Sequence, residues 1–123
     1  MFNQELVKPK EVITKMDELE LNVYFMESHV EDLKETVKYY QGEVNDLTNV
    51  LLKDIDDVYE YDDETGEPYF TRDILEDFTG ELNRGIELLK KAQRDLETCK
   101  KEYVEYMNEL EDWLKERVGM EDE

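Results

Sequence analysis

Residues 19–47 read LELNVYFMESHVEDLKETVKYYQGEVNDL. Valine returns every seventh position, at Val23, Val30, Val37 and Val44, and Leu19, Leu33 and Leu47 fall between. Alternating steps of four and three keep these side chains on one stripe of an α-helix, the a and d positions of a heptad. The stripe reaches back to Val12 and Met16 and forward to Leu51. The same rhythm resumes at Leu75, Phe78, Leu82, Gly85, Leu89, Ala92, Leu96, Cys99, Tyr103, Tyr106, Leu110 and Trp113. Pro9 suits the first turn of the first helix, and Thr71 is suited to cap the second.

The pattern predicts an all-α fold, a long antiparallel coiled-coil helical hairpin forming a single domain over residues 1–123. Its parts are an N-terminal arm (1–8), helix 1 (9–60), a turn (61–70), helix 2 (71–118) and an acidic tail (119–123). Each helix has about 45–50 residues and, at ~1.5 Å per residue, extends ~70 Å. Thr65-Gly66 and Glu67-Pro68 punctuate the turn. The flanking tyrosines fit either an acidic loop or a small β-hairpin there. A connection this short makes the two helices antiparallel neighbours.

Antiparallel pairing sets a residues against d residues whose numbers add to a constant. Counted outward from the turn, Leu51 faces Phe78, Leu47 faces Leu82, Val44 faces Gly85 and Val37 faces Ala92. The series continues through Val30 with Cys99 to Met16 with Trp113. This register also sets Glu27 against Lys100, Lys15 against Glu116 and His29 against Glu102. A parallel homodimer, which valine at a and leucine at d also suit, is the structural competitor.

The 123 residues carry 35 acidic and 15 basic side chains, a net charge of −20. Charged residues make up 41% and apolar ones 39%, too lean for a thick core, while the strict periodicity argues against disorder. Duplex DNA and anionic membranes repel such a chain, so neither is an expected partner. No window approaches the ~20 apolar residues of a membrane span. The segment Met1 to Lys8 lacks the basic start and apolar run of a secretory leader. Cys99 has no second cysteine to bridge, and with His29 it is too little for a zinc site. The expectation is a cytoplasmic protein without cofactor or metal.

Beyond the stripe, Leu21, Tyr24 and Phe25 stand at i, i+3 and i+4 on the back of helix 1. Ile13, Val50, Ile55, Ile74, Ile86, Leu88, Met107 and Leu114 broaden the stripe at its flanks. Together they exceed what a lone helical hairpin is expected to expose. Three occupants are open: the arm with Phe2, Leu6 and Val7, a second hairpin completing a four-helix bundle, or a protein partner anchored on Leu21, Tyr24 and Phe25.

Asp54, Asp56, Asp57, Glu60, Asp62, Asp63, Glu64 and Glu67 crowd the turn with no basic residue among them. All but Asp54 are candidate contacts to a basic partner surface. A calcium loop starting at Asp62 would place Glu67 where such loops need glycine. An acidic turn on an antiparallel coiled coil resembles the Gre-type transcript cleavage factors in architecture alone. Asp63-Glu64-Thr65-Gly66-Glu67 resembles the short turn by which a eukaryotic stress-response transcription factor binds its kelch-repeat adaptor, and Pro68 departs from that motif.

Catalysis has no inventory here: Cys99 sits on the stripe, His29 lies beside it, and there is no glycine-rich phosphate loop or paired-histidine motif. Charge is uneven, with a net of +3 over 84–101, −7 over 102–123 and −8 over 54–67. The sequence therefore points to a non-catalytic acidic coiled-coil protein that binds a protein partner with a basic or apolar surface, as adaptor or inhibitor. In type it resembles small acidic helical bacteriophage products that act on host proteins. The alternatives are a nucleic-acid mimic occupying the basic groove of an enzyme and a structural homo-oligomer.

Overall fold

The computed structural model describes residues 9–121, with side chains from 10 to 116. In chain order it comprises α1 (Pro9–Lys53), β1 (Val58–Tyr61), β2 (Pro68–Phe70) and α2 (Thr71–Glu121). This is the expected helical hairpin, with its two long helices packed against each other.

The heptad stripe decides which side of each helix is covered. In α1, every stripe residue from Val12 to Leu51 is buried or half-buried, and of the other described side chains only Glu43 leaves the exposed class. In α2, every stripe residue from Leu75 to Trp113 is likewise covered. Val12, Leu19, Val30, Leu47, Ala92 and Trp113 are buried, and most of the rest are only half-buried. A two-helix seam covers each side chain from one direction, which accounts for that intermediate state.

Two compact units share the helices: Met1–Val30 with Ala92–Glu123, and Glu31–Lys91. In the second, a Cβ placed on Gly85 would meet Val37 Cγ2 at 3.3 Å. The Tyr40 and Phe78 rings lie 5.9 Å apart in the same unit. In the first unit, the Tyr106 hydroxyl donates to the Val12 carbonyl oxygen at 3.2 Å. Partial burial, then the Glu109 charge, hold the Tyr106 phenol above its ordinary pKa.

These contacts correct the register. Gly85 faces Val37 and not Val44, a slide of one heptad or ~10 Å along the helix. An a residue still meets a d residue after such a slide, so the apolar pattern is satisfied equally well. The charge alignments of Glu27 with Lys100, Lys15 with Glu116 and His29 with Glu102 belong to the displaced register. Ion pairs run along α2 instead, among them Arg84 to Glu81 at 2.6 Å, Lys90 to Glu87 at 3.4 Å, Lys101 to Glu105 at 3.9 Å and Lys115 to Glu111 at 3.2 Å.

The cause is an asymmetric connection. The ribbon pairs Val58 with Phe70, Glu60 with Tyr69 and Tyr61 with Pro68, with an irregularity between Val58 and Glu60. On one side α2 begins directly after β2, whereas residues 54–57 separate α1 from β1. Asp54 makes that break: its carboxylate accepts from the Asp56 amide at 3.0 Å and its carbonyl from the Asp57 amide at 3.2 Å. Helix 1 thus ends at Lys53 and not at 60, because a short acidic turn and a strand rich in valine and tyrosine take over. The turn assigned to 61–70 is a β-hairpin over 58–70. Gly66 closes it at φ 72°, a backbone state that suits glycine. Helix 2 runs to Glu121, three residues into the segment assigned to an acidic tail. The N-terminal arm, residues 1–8, and residues 122–123 lie outside the described residues.

Candidate interaction surfaces

Leu21, Tyr24 and Phe25 project from α1 on the side opposite the seam residues Leu19, Val23 and Met26. They are 52%, 62% and 62% exposed. The Tyr24 and Phe25 rings meet edge to face, with centroids 5.8 Å apart and planes at 64°. Each ring therefore limits the other's rotation while keeping most of its surface open to water. Asp17 and Glu20 join Leu21 and Tyr24 around a shallow depression, which gives the patch an acidic border.

The flanking residues divide. Ile74, Ile86 and Met107 are half-buried beside the seam, whereas Ile13, Val50, Ile55, Leu88 and Leu114 are exposed. The structure adds Tyr39, Leu52 and Val104 to the exposed set. Their signal was available: each is a large apolar residue standing off the heptad stripe.

The seven carboxylates assigned to the acidic turn do not act alike. Asp62 braces the hairpin from within. One carboxylate oxygen accepts from the Glu64 and Thr65 amides at 2.8 and 2.9 Å, and the other accepts from the Tyr69 hydroxyl at 2.8 Å. The Thr65 amide, then the Tyr69 hydroxyl and the Glu64 amide, hold the Asp62 carboxyl below its ordinary pKa. The same bond to Asp62, together with its charge, holds the Tyr69 phenol above its own. Asp57 anchors the start of α2. Its carbonyl accepts from the Thr71 amide at 2.9 Å and its carboxylate from the Thr71 hydroxyl at 2.5 Å.

Thr71, only 1% exposed, is thus the first helical residue and a donor to Asp57, where the sequence suggested a capping acceptor. Asp56 pairs with Arg72 at 3.5 Å, and the Arg72 guanidinium lies 4.9 Å from the centre of the Phe70 ring. That leaves Glu60, Asp63, Glu64 and Glu67 exposed on the hairpin as the carboxylates turned to solvent.

Among the described residues, no group of three or more His, Cys, Asp or Glu side chains is placed to hold a metal ion. Cys99 is half-buried on the seam stripe, and His29 is exposed. Among the described residues, no helix is long and apolar enough to cross a membrane. No known protein family, curated protein or solved structure matches the chain.

Proposed function

We propose that the chain is a non-catalytic, cytoplasmic, acidic helical-hairpin protein that binds another protein, as adaptor or inhibitor, through Leu21, Tyr24 and Phe25. The observation that carries this reading is the Tyr24–Phe25 pair, edge to face and each ring 62% exposed. Two aromatic rings kept in water and already restrained against each other match the anchors that dominate protein interfaces. Burying what each ring still exposes is worth at most about 1.5–3 kcal/mol before the cost of association is met. A bacteriophage product acting on a host protein fits this combination of small size, high acidity and one apolar anchor.

A second reading, the nucleic-acid mimic, draws support from Glu60, Asp63, Glu64 and Glu67, which stand exposed on the hairpin. The positive segment 84–101 counts against a continuous phosphate-like array. Self-association as a four-helix bundle would bring two chains of charge −20 together, which repulsion opposes.

Affinity capture from the native host separates the readings. The wild-type chain and the Tyr24→Lys/Phe25→Lys variant are compared at low salt and at about 0.5 M, where exposed charges are screened within a few ångströms. A partner retained at high salt and lost with the variant supports the apolar anchor. A partner lost at high salt and indifferent to the variant supports mimicry. Circular dichroism of the variant must match wild type for either result to count.

A further inference from the structure

Within the Glu31–Lys91 unit, Tyr39 packs edge to face on Tyr40, with centroids 5.3 Å apart and planes at 67°. Tyr40 in turn leans on Phe78 at 5.9 Å. Tyr40 and Phe78 are half-buried at the seam, but Tyr39 is 58% exposed and carries the aromatic run out to solvent. A shallow hollow lies on each side of Tyr40. One is lined by Asp32, Glu35, Thr36 and Tyr39, the other by Glu76, Asp77, Phe78, Gly80, Glu81 and Arg84.

Two details bear on what these hollows can accept. Gly80 is exposed in the interior of α2, and a Cβ there would meet nothing within 4 Å. Neither a positive φ nor a close approach calls for glycine at this position, although helices disfavour it. A side chain there would stand in open space at the rim of the hollow. Charge around the two hollows is also mostly negative: Asp32 and Glu35 line the first and Glu76, Asp77 and Glu81 the second, where Arg84 is bridged to Glu81 at 2.6 Å.

We propose that the face around Tyr39, Tyr40 and Phe78 docks an arginine-rich segment of a protein partner. Charge complementarity names the occupant. A guanidinium is planar, weakly hydrated and always charged, so it stacks on a tyrosine ring while donating to a neighbouring carboxylate. A lysine ammonium meets the carboxylates but gains less from the rings. A second copy of the chain would bring carboxylates against carboxylates. The site is separate from the Leu21 patch and stands whether or not that patch binds anything.

The test is a titration of the full-length isotope-labelled chain with nona-arginine and, in parallel, nona-lysine, at about 150 mM salt to screen diffuse attraction. Expected are saturable amide shifts concentrated in residues 32–40 and 76–84, with several-fold tighter binding of nona-arginine. Gly80→Lys sets a cation at the rim of the hollow, replaces glycine by a better helix former, and should weaken that binding by about tenfold or more. Tyr39→Ala should remove the preference for arginine over lysine. Asp63→Asn/Glu64→Gln on the β-hairpin should leave the site's affinity unchanged. Shifts centred on 60–67, equal affinity for the two peptides, an unaffected Gly80→Lys variant or the absence of shifts would each overturn the proposal.

Discussion

A pair of engineered cysteines can read the register of the helices directly. In a Cys99→Ser background, Val37→Cys with Gly85→Cys should oxidise to an intrachain disulfide, and Val44→Cys with Gly85→Cys should not. A Cβ at position 85 lies 3.3 Å from Val37 Cγ2, which is itself one bond from the Val37 Cβ. The two Cβ atoms therefore stand within about 5 Å, close to the roughly 3.5–4.5 Å at which disulfides form. Val44 is a heptad further along α1, and ~10 Å of helix puts it out of reach. The bridge closes a loop of about 49 residues, so loop-closure entropy predicts about 4 kcal/mol of stabilisation, less any strain. Non-reducing electrophoresis with peptide mapping reports which pair closes, and urea melts of oxidised and reduced protein report the stabilisation. Preferential closure of the Val44 pair would refute the register and restore the alignment suggested by the turn-centred count. Bridges formed only between chains would refute the hairpin itself.

Other outcomes are simpler to state. A Cβ added to Gly42 would meet nothing within 4 Å, and φ there is not positive, so Gly42→Ala should raise stability by about 0.5–1 kcal/mol in urea melts. Thr71→Val keeps the shape of a buried side chain but removes the donor to Asp57, and should cost about 1–3 kcal/mol. Asp62 has a lowered folded pKa, so its contribution is present above the ordinary value of 3.8 and is lost as pH falls below it. Tyr69 has a raised one, so its contribution is present below the ordinary 10.0 and is lost as pH rises beyond it. Nuclear magnetic resonance titration of the hairpin should show both limits, and Asp62→Asn should abolish the acid limit and return the Tyr69 phenol toward 10.0.

Much of the architecture can be read in the residues, and its limits have physical causes. The steps of four and three that place Val12 through Leu51 and Leu75 through Trp113 on single stripes also determine which side chains water reaches. Exposure of Leu21, Tyr24 and Phe25 follows from the same geometry. Register is different, because a pattern that repeats every seven residues looks identical after a slide of seven. Only the unequal lengths of chain on the two sides of the β-hairpin break that tie, and they depend on where α1 stops. The stop at Lys53 is hidden because Asp54, Asp56 and Asp57 read simply as acids. Their hydrogen bonds to amides and to Thr71 make them turn formers and a helix anchor. The same blindness to partners made seven carboxylates look alike, although Asp56, Asp57 and Asp62 hold the hairpin in place and Glu60, Asp63, Glu64 and Glu67 face outward.

The close approach of Gly85 to Val37 also bears on how the Glu31–Lys91 unit finds its structure. Its seam behaves as a ratchet whose teeth are seven residues apart, and the 54–70 connection is the pawl. Contacts within that connection are local and close little chain, so they form at low entropic cost. Slow steps in folding would then come from chains whose helices engage on the wrong tooth. Lengthening or shortening residues 54–57 is the change that should shift the engaged tooth while keeping apolar side chains opposed along the length the two stripes share.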